Sequence, residues 1–236
     1  MRLLSVSIMS AAIAGAAAAG PITQTVPLSA ENAAGNSTFL GPLANSQRTY
    51  QLLVHESQLT NLVGLRLTGL SWRLPTAATI DWPAAIVEYA NYDIYISDSV
   101  NPADRSLTFA DNVVGTQTQV RSGALTIDEN SYTSGSSPNA FGPTIDFGTE
   151  YLYTGGNLLV EIRHTGFTGT SRSVDAYSTS AATGYGSLFS AAWTGNYEGV
   201  QGTQGNFSIF QFNAIPTPGA AALLGMGALV AARRRR

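Results

Sequence analysis

The chain has 236 residues, with twelve arginines and no lysine, fifteen acids, two histidines and no cysteine. The missing thiols exclude a cysteine nucleophile, a Cys-ligated zinc and an iron–sulfur centre. Residues 20–213 hold all fifteen acids but only seven arginines, a net charge of −8, which argues against nucleic acid and anionic membrane as partners.

Residues 1–19 open with Arg2, run through an apolar stretch over residues 3–14 and place small side chains at Ala17 and Ala19. That is the pattern of a secretory signal peptide cut after Ala19. The run is Ala-rich and short for a membrane span of about 20 residues. The central part of the chain, about 195 residues, is large enough to bury a core without disulfides.

Period-two alternation then dominates. "RTYQLLVH", residues 48–55, reads as a strand. "VGLRLTGLSWRL", residues 63–74, changes phase: Leu65 and Leu67 share one parity, Leu70, Trp72 and Leu74 the other. A β-bulge at Gly69 would restore one inward face, so the segment predicts one long strand bent there. "AAIVEYA", residues 84–90, comes nearest to a helical period but is too short to stand as a helix. "NYDIYIS" and "NLLVEIRHTG" alternate: Tyr92, Ile94 and Ile96 oppose Asp93, Tyr95 and Ser97, while Leu158, Val160, Ile162 and His164 oppose Leu159, Glu161, Arg163 and Thr165. "YTGGN" reads as a hairpin turn, because Gly155 and Gly156 accept positive φ. "NFSIFQFNA" is apolar on both faces and predicts a central strand. Gly, Ser, Asn and Pro clusters separate these segments as turns and loops. Together they predict an all-β domain over residues 20–213, an antiparallel β-sandwich of jelly-roll-like or Ig-like form.

Few residues offer chemistry. His164 shares the parity of Val160 and Ile162, which places it at the core edge with a ring nitrogen on backbone, and His55 sits in a polar turn. Neither belongs to a nucleophile motif, and nothing in the sequence selects a pair of carboxylates for hydrolysis. The loop at residues 97–112 concentrates Asp98, Asn101, Asp104, Asp111 and Asn112, hard oxygen ligands that could hold calcium, although ordinary Asx turns use the same residues. No other cofactor is indicated. Trp82, Trp193 and Tyr197 lie in loop-like contexts where rings could stack on sugars, or could cap the end of a sandwich core.

The last segment, residues 214–236, combines Pro216-Thr217-Pro218, an apolar run over residues 219–232 and Arg233, Arg234, Arg235 and Arg236. As a helix the apolar run would measure about 21 Å, or about 28 Å counted from Ala214, against a hydrocarbon core of about 30 Å. The arginines would keep the C-terminus cytoplasmic. This three-part order resembles the PEP-CTERM sorting signal, also called the ice-binding protein C-terminal motif, in the Pro-Thr-Pro variant of planctomycete-like proteins. Stretches such as "RTYQLLVHESQL", "RLTGLSWRL", "NYDIYIS" and "YTGGNLLVEIRHTG" are likewise similar to ectodomains of PEP-CTERM proteins. The resemblance implies transient anchoring in the inner membrane by a short transmembrane helix. It also implies cleavage near the triplet by an exosortase-type enzyme, and delivery to the cell surface, outer membrane or an extracellular polysaccharide matrix.

The expected function is therefore that of an exported, non-enzymatic surface or matrix protein with no assigned ectodomain activity. An alternative is a module that binds carbohydrate, exopolysaccharide in particular, through loop aromatics; a third is a secreted hydrolase.

Overall fold

A computed structural model describes residues 20–217. Residues 1–19 and 218–236, and with them the expected signal peptide, the apolar tail, Pro218 and the four terminal arginines, lie outside the described residues. Among the described residues no helix is long and apolar enough to cross a membrane.

Residues Pro21–Ile215 form one compact unit, mostly strands in antiparallel sheets. In chain order the strands are β1 (Ile22–Val26), β2 (Ser37–Phe39), β3 (Arg48–Val54), β4 (Leu65–Trp72) and β5 (Val87–Tyr89). Next come β6 (Tyr92–Ser99), β7 (Val113–Arg121), β8 (Leu125–Ile127), β9 (Ile145–Leu152) and β10 (Leu158–His164). The last five are β11 (Val174–Tyr177), β12 (Phe189–Thr194), β13 (Thr203–Gln204), β14 (Phe207–Ser208) and β15 (Phe210–Pro216). A six-stranded sheet runs β13-β12-β3-β10-β6-β7 and a four-stranded sheet β1-β15-β4-β9; β14-β11-β2 and β5-β8 form smaller sheets.

One apolar cluster joins the two larger sheets. Tyr50, Leu52 and Val54 of β3, Ile94 and Ile96 of β6 and Val160 and Ile162 of β10 enter it with Leu67, Leu70 and Trp72 of β4 and Phe210 and Phe212 of β15. Side chains of both β4 parities are thus buried, and the register with β9 does break between Leu67 and Gly69. The surplus residues are on β9, however, where four residues (147–150) face Thr68 alone.

Two expected strand relations differ. Gly155 and Gly156 take positive φ as expected, but the turn is not a hairpin: β9 pairs with β4, and β10 with β3 and β6, so it carries the chain from one sheet to the other. Tyr153 secures the crossing, its amide donating to Leu65 O and its hydroxyl to Gly156 O at 2.6 Å. The segment at residues 206–214 also divides. Phe207 and Ser208 pair with β11, Ile209 N donates to Asp175 O, and only β15 is central, between β1 and β4.

A buried ion pair ties β11 to the segment at residues 30–35. Arg73 and Asp175, each 1% exposed, meet at 2.9 Å; Arg73 also donates to Ala30 O and Ala33 O, and Asp175 accepts from Gly35 N. Every charge there has hydrogen-bond partners, the condition under which such a pair is tolerated in a core.

Candidate functional site

Alternation along β3, β6, β10 and β12 puts one set of side chains into the core and the other on the outward face of the six-stranded sheet. An outward sheet face is ordinarily left to solvent, yet Thr49, Gln51, Leu53, Ser97, Leu159, Glu161 and Ser190 are all buried. Two loop segments cover them. Gln51 Nε2 donates to Phe109 O at 3.1 Å, Thr49 Oγ1 lies 2.8 Å from the carbonyl oxygens of Asn196 and Tyr197, and Gly199 N donates to Thr49 Oγ1.

Antiparallel register sets the polar residues in rows. One row crosses the sheet as Ala192, Gln51, Glu161, Tyr95 and Gln119; the next holds Thr194, Thr49, Arg163 and Asp93. Glu161 is 1% exposed, and both carboxylate oxygens are engaged. Oε1 accepts from Arg163 Nε at 2.5 Å and Oε2 from Gln51 Nε2 at 2.6 Å. Gln51 Oε1 in turn accepts from Asn112 Nδ2 at 2.7 Å. A buried carboxylate is expensive unless paired and fully hydrogen-bonded, and this one is both. The Arg163 guanidinium also lies 5.3 Å from the Tyr95 ring centroid, within cation–π range.

The next row is tied to the loop above it: Tyr197 donates its hydroxyl to Asp93 Oδ2, while Asp93 Oδ1 accepts from Gly123 N at 2.9 Å. Burial first, then the hydrogen bond to Asp93, pushes the Tyr197 phenol up to about 12. Burial, then the charge of Asp93, also raises the Tyr95 phenol. Between Glu161, Arg163, Gln117, Val113, Ala110 and Val200 lies a cavity of about 410 Å³. A second hollow of about 500 Å³ sits beside Gln47, Tyr197 and Glu198, with Gly199 and Val200 common to both. Both hollows fall in the size range of small-molecule sites and are lined partly by polar groups. The cavity contains one carboxylate, and its oxygens are already committed.

The structure does not assemble the three loop aromatics into a platform. Trp82 is 7% exposed, packed edge-on against Tyr132 and Phe167, with Nε1 donating to Thr170 O; it caps the core and has no face free for a sugar. Trp193 is not in a loop but on β12, half-buried on the core side with Phe39 against its ring and the Arg48 guanidinium 4.9 Å above it. Tyr197 reaches Asp93, on the opposite face of the sheet. Nor do the loop acids converge: among the described residues no three carboxylate or imidazole side chains come together as a metal would need. Asn101 Oδ1 caps its turn by accepting from Ala103 N, and Asp111 Oδ2 accepts from Ser106 Oγ, while Asp98 and Asp104 are exposed.

His55 caps a turn through Nδ1, which accepts from Ser57 N. Of the sorting triplet, Pro216 is the last residue of β15 and Thr217 the last residue described. Ala214 is fully buried and paired with Ile22, so the segment from residue 214 begins as sheet, and the longer helix counted from Ala214 does not form. Gln51, Gln117, Glu161 and Arg163 carry no sequence motif that would single them out as a site; Asn112, from the expected calcium loop, instead hydrogen-bonds Gln51 and Ser106. The one local signal among the first four is the Glu161–Arg163 spacing, two charges on one strand face.

No family model, curated protein or solved structure matches the chain.

Proposed function

We propose that this chain is an exported, non-enzymatic protein of a bacterial cell surface or extracellular matrix, delivered by a PEP-CTERM-like tail. The observation that carries the reading is the order of Pro216-Thr217-Pro218, an apolar run and four terminal arginines, behind a signal-peptide pattern at the other end. With residues 214–216 in strand β15 and the triplet extended, residues 219–232 are left to cross the bilayer, about 21 Å if helical. That is short of the hydrocarbon core of about 30 Å and suits a temporary anchor better than a permanent one. The prolines keep the triplet extended, where a processing enzyme could reach it.

The ectodomain is, in this reading, a jelly-roll-like β-sandwich. The six- and four-stranded sheets share one core, and the long strands alternate between them from β3 to β4 and from β9 to β10. Such a domain can serve a matrix as a rigid binding module, with an exosortase-type enzyme as its processing partner and exopolysaccharide as its neighbour. Fractionation of the native host tests the delivery. The wild-type chain is expected at the outer surface or in the matrix, and a variant with Arg233, Arg234, Arg235 and Arg236 replaced by alanine is expected to be held back in the cell envelope. Identical distribution of the two would overturn the proposal.

A further inference from the structure

We propose that the cavity above β10 is a binding site for a neutral saccharide. The inference rests on the matrix-facing placement only for the ligand that the site would meet; its chemistry comes from the cavity itself.

The site is formed by an irregularity of β7. Ile96 pairs with Thr118 and Asp98 with Val114, so three residues of β7, Gly115, Thr116 and Gln117, oppose Ser97 alone. Gly115 takes a φ of +71°, which favours glycine at the bend. A bulge of this kind re-aims side chains, and such features recur beside functional sites. Here it brings Gln117 to the cavity that holds Glu161 and Arg163, although β6 lies between β7 and β10 in the sheet.

The cavity is lined by two donor side chains, Gln117 and Arg163. Gln117 Nε2 is enclosed and has no hydrogen-bond partner among the described residues. Arg163 is clamped through Nε by a carboxylate that is itself 1% exposed, and among the described residues its Nη1 and Nη2 have no hydrogen-bond partner. An enclosed donor left unpaired is costly, so the site calls for ligand or water oxygens. Charge decides what kind. Glu161 already balances the guanidinium at 2.5 Å, Asp93 and Glu198 act on Tyr95 beside it, and the ectodomain carries −8 overall. An anion is disfavoured by that field and a cation by the donors, whereas sugar hydroxyl oxygens accept from both groups without charge. Ala110, Val113 and Val200, the last 74% exposed, supply an apolar wall for the sugar's C–H face. About 410 Å³ lies within the range of small-molecule sites.

The test applies the purified full chain to an array of neutral and uronic-acid oligosaccharides, with calorimetric titration of the best neutral one. Neutral glycans are expected to bind. Gln117→Leu, which removes the donor and spares the Arg163–Glu161 pair, should weaken binding about tenfold with the melting temperature unchanged or raised. Val200→Asp, at an exposed position, should weaken it independently. No binding of neutral glycans, binding of uronic acids alone, or wild-type affinity in both variants would each overturn the inference. The assay does not depend on export or tail cleavage, so its failure is distinct from failure of the delivery proposal.

Discussion

His164 has no exposed surface; it stacks on Tyr92 at 5.4 Å and meets the edge of Tyr89. Nε2–H donates to Gly41 O at 2.8 Å and Nδ1 accepts from Gly166 N at 3.2 Å, an arrangement only the neutral ring can make. Burial pushes its pKa down to about 4, from an ordinary 6.5. The unfolded chain therefore binds the proton first, and stability is fully present above pH 6.5 and is lost as pH falls towards 4. Denaturant titrations should show a loss of about 2 kcal/mol between pH 7 and pH 5, a window above most carboxylate titration, and His164→Gln should flatten it. A flat wild-type profile would contradict this assignment. Strand parity made the inward position of His164 legible, since it shares the parity of Val160 and Ile162. Trp82 was not legible in the same way: a loop position does not say whether the ring lies over the core or over water. Tyr197 gave no local hint of Asp93, a partner 104 residues away.

Elements were legible where alternation was strict and less so where the chain changes sheet. The phase change at Gly69 marked the irregularity between β4 and β9, but the surplus residues are on β9, where Gly148 stands among them. Gly69 has a second reason to be glycine: a Cβ there would lie 2.6 Å from Thr144 Cγ2 and 3.0 Å from Ile145 O. Gly69→Ala should cost about 1–3 kcal/mol through this overpacking, read as a lower denaturation midpoint; an unchanged midpoint would show that β9 yields freely. The turn at residues 154–157 teaches the complementary point. Two glycines specify a reversal, but nothing local states whether the next strand pairs with the last one or joins another sheet.

At the scale of the molecule, composition and periodicity conveyed an all-β unit without disulfides, and the ends of the chain carried the export reading. The candidate site was not legible, because β3, β7, β10, the turn at Phe109–Asn112 and the loop at residues 196–201 contribute to it from distant parts of the sequence. Loops rich in Gly, Asn and Asp read as solvated, yet two of them bury the outward face of the sheet and make its polar rows a hydrogen-bonded interior. We propose that these features belong to an acidic domain held briefly at a membrane and then released. The proposal is tested most directly by mass spectrometry of the mature protein recovered from its host. The account predicts an N-terminus near Gly20 and a C-terminus near Pro216-Thr217-Pro218; a mature chain that still ends in Arg236 would contradict it.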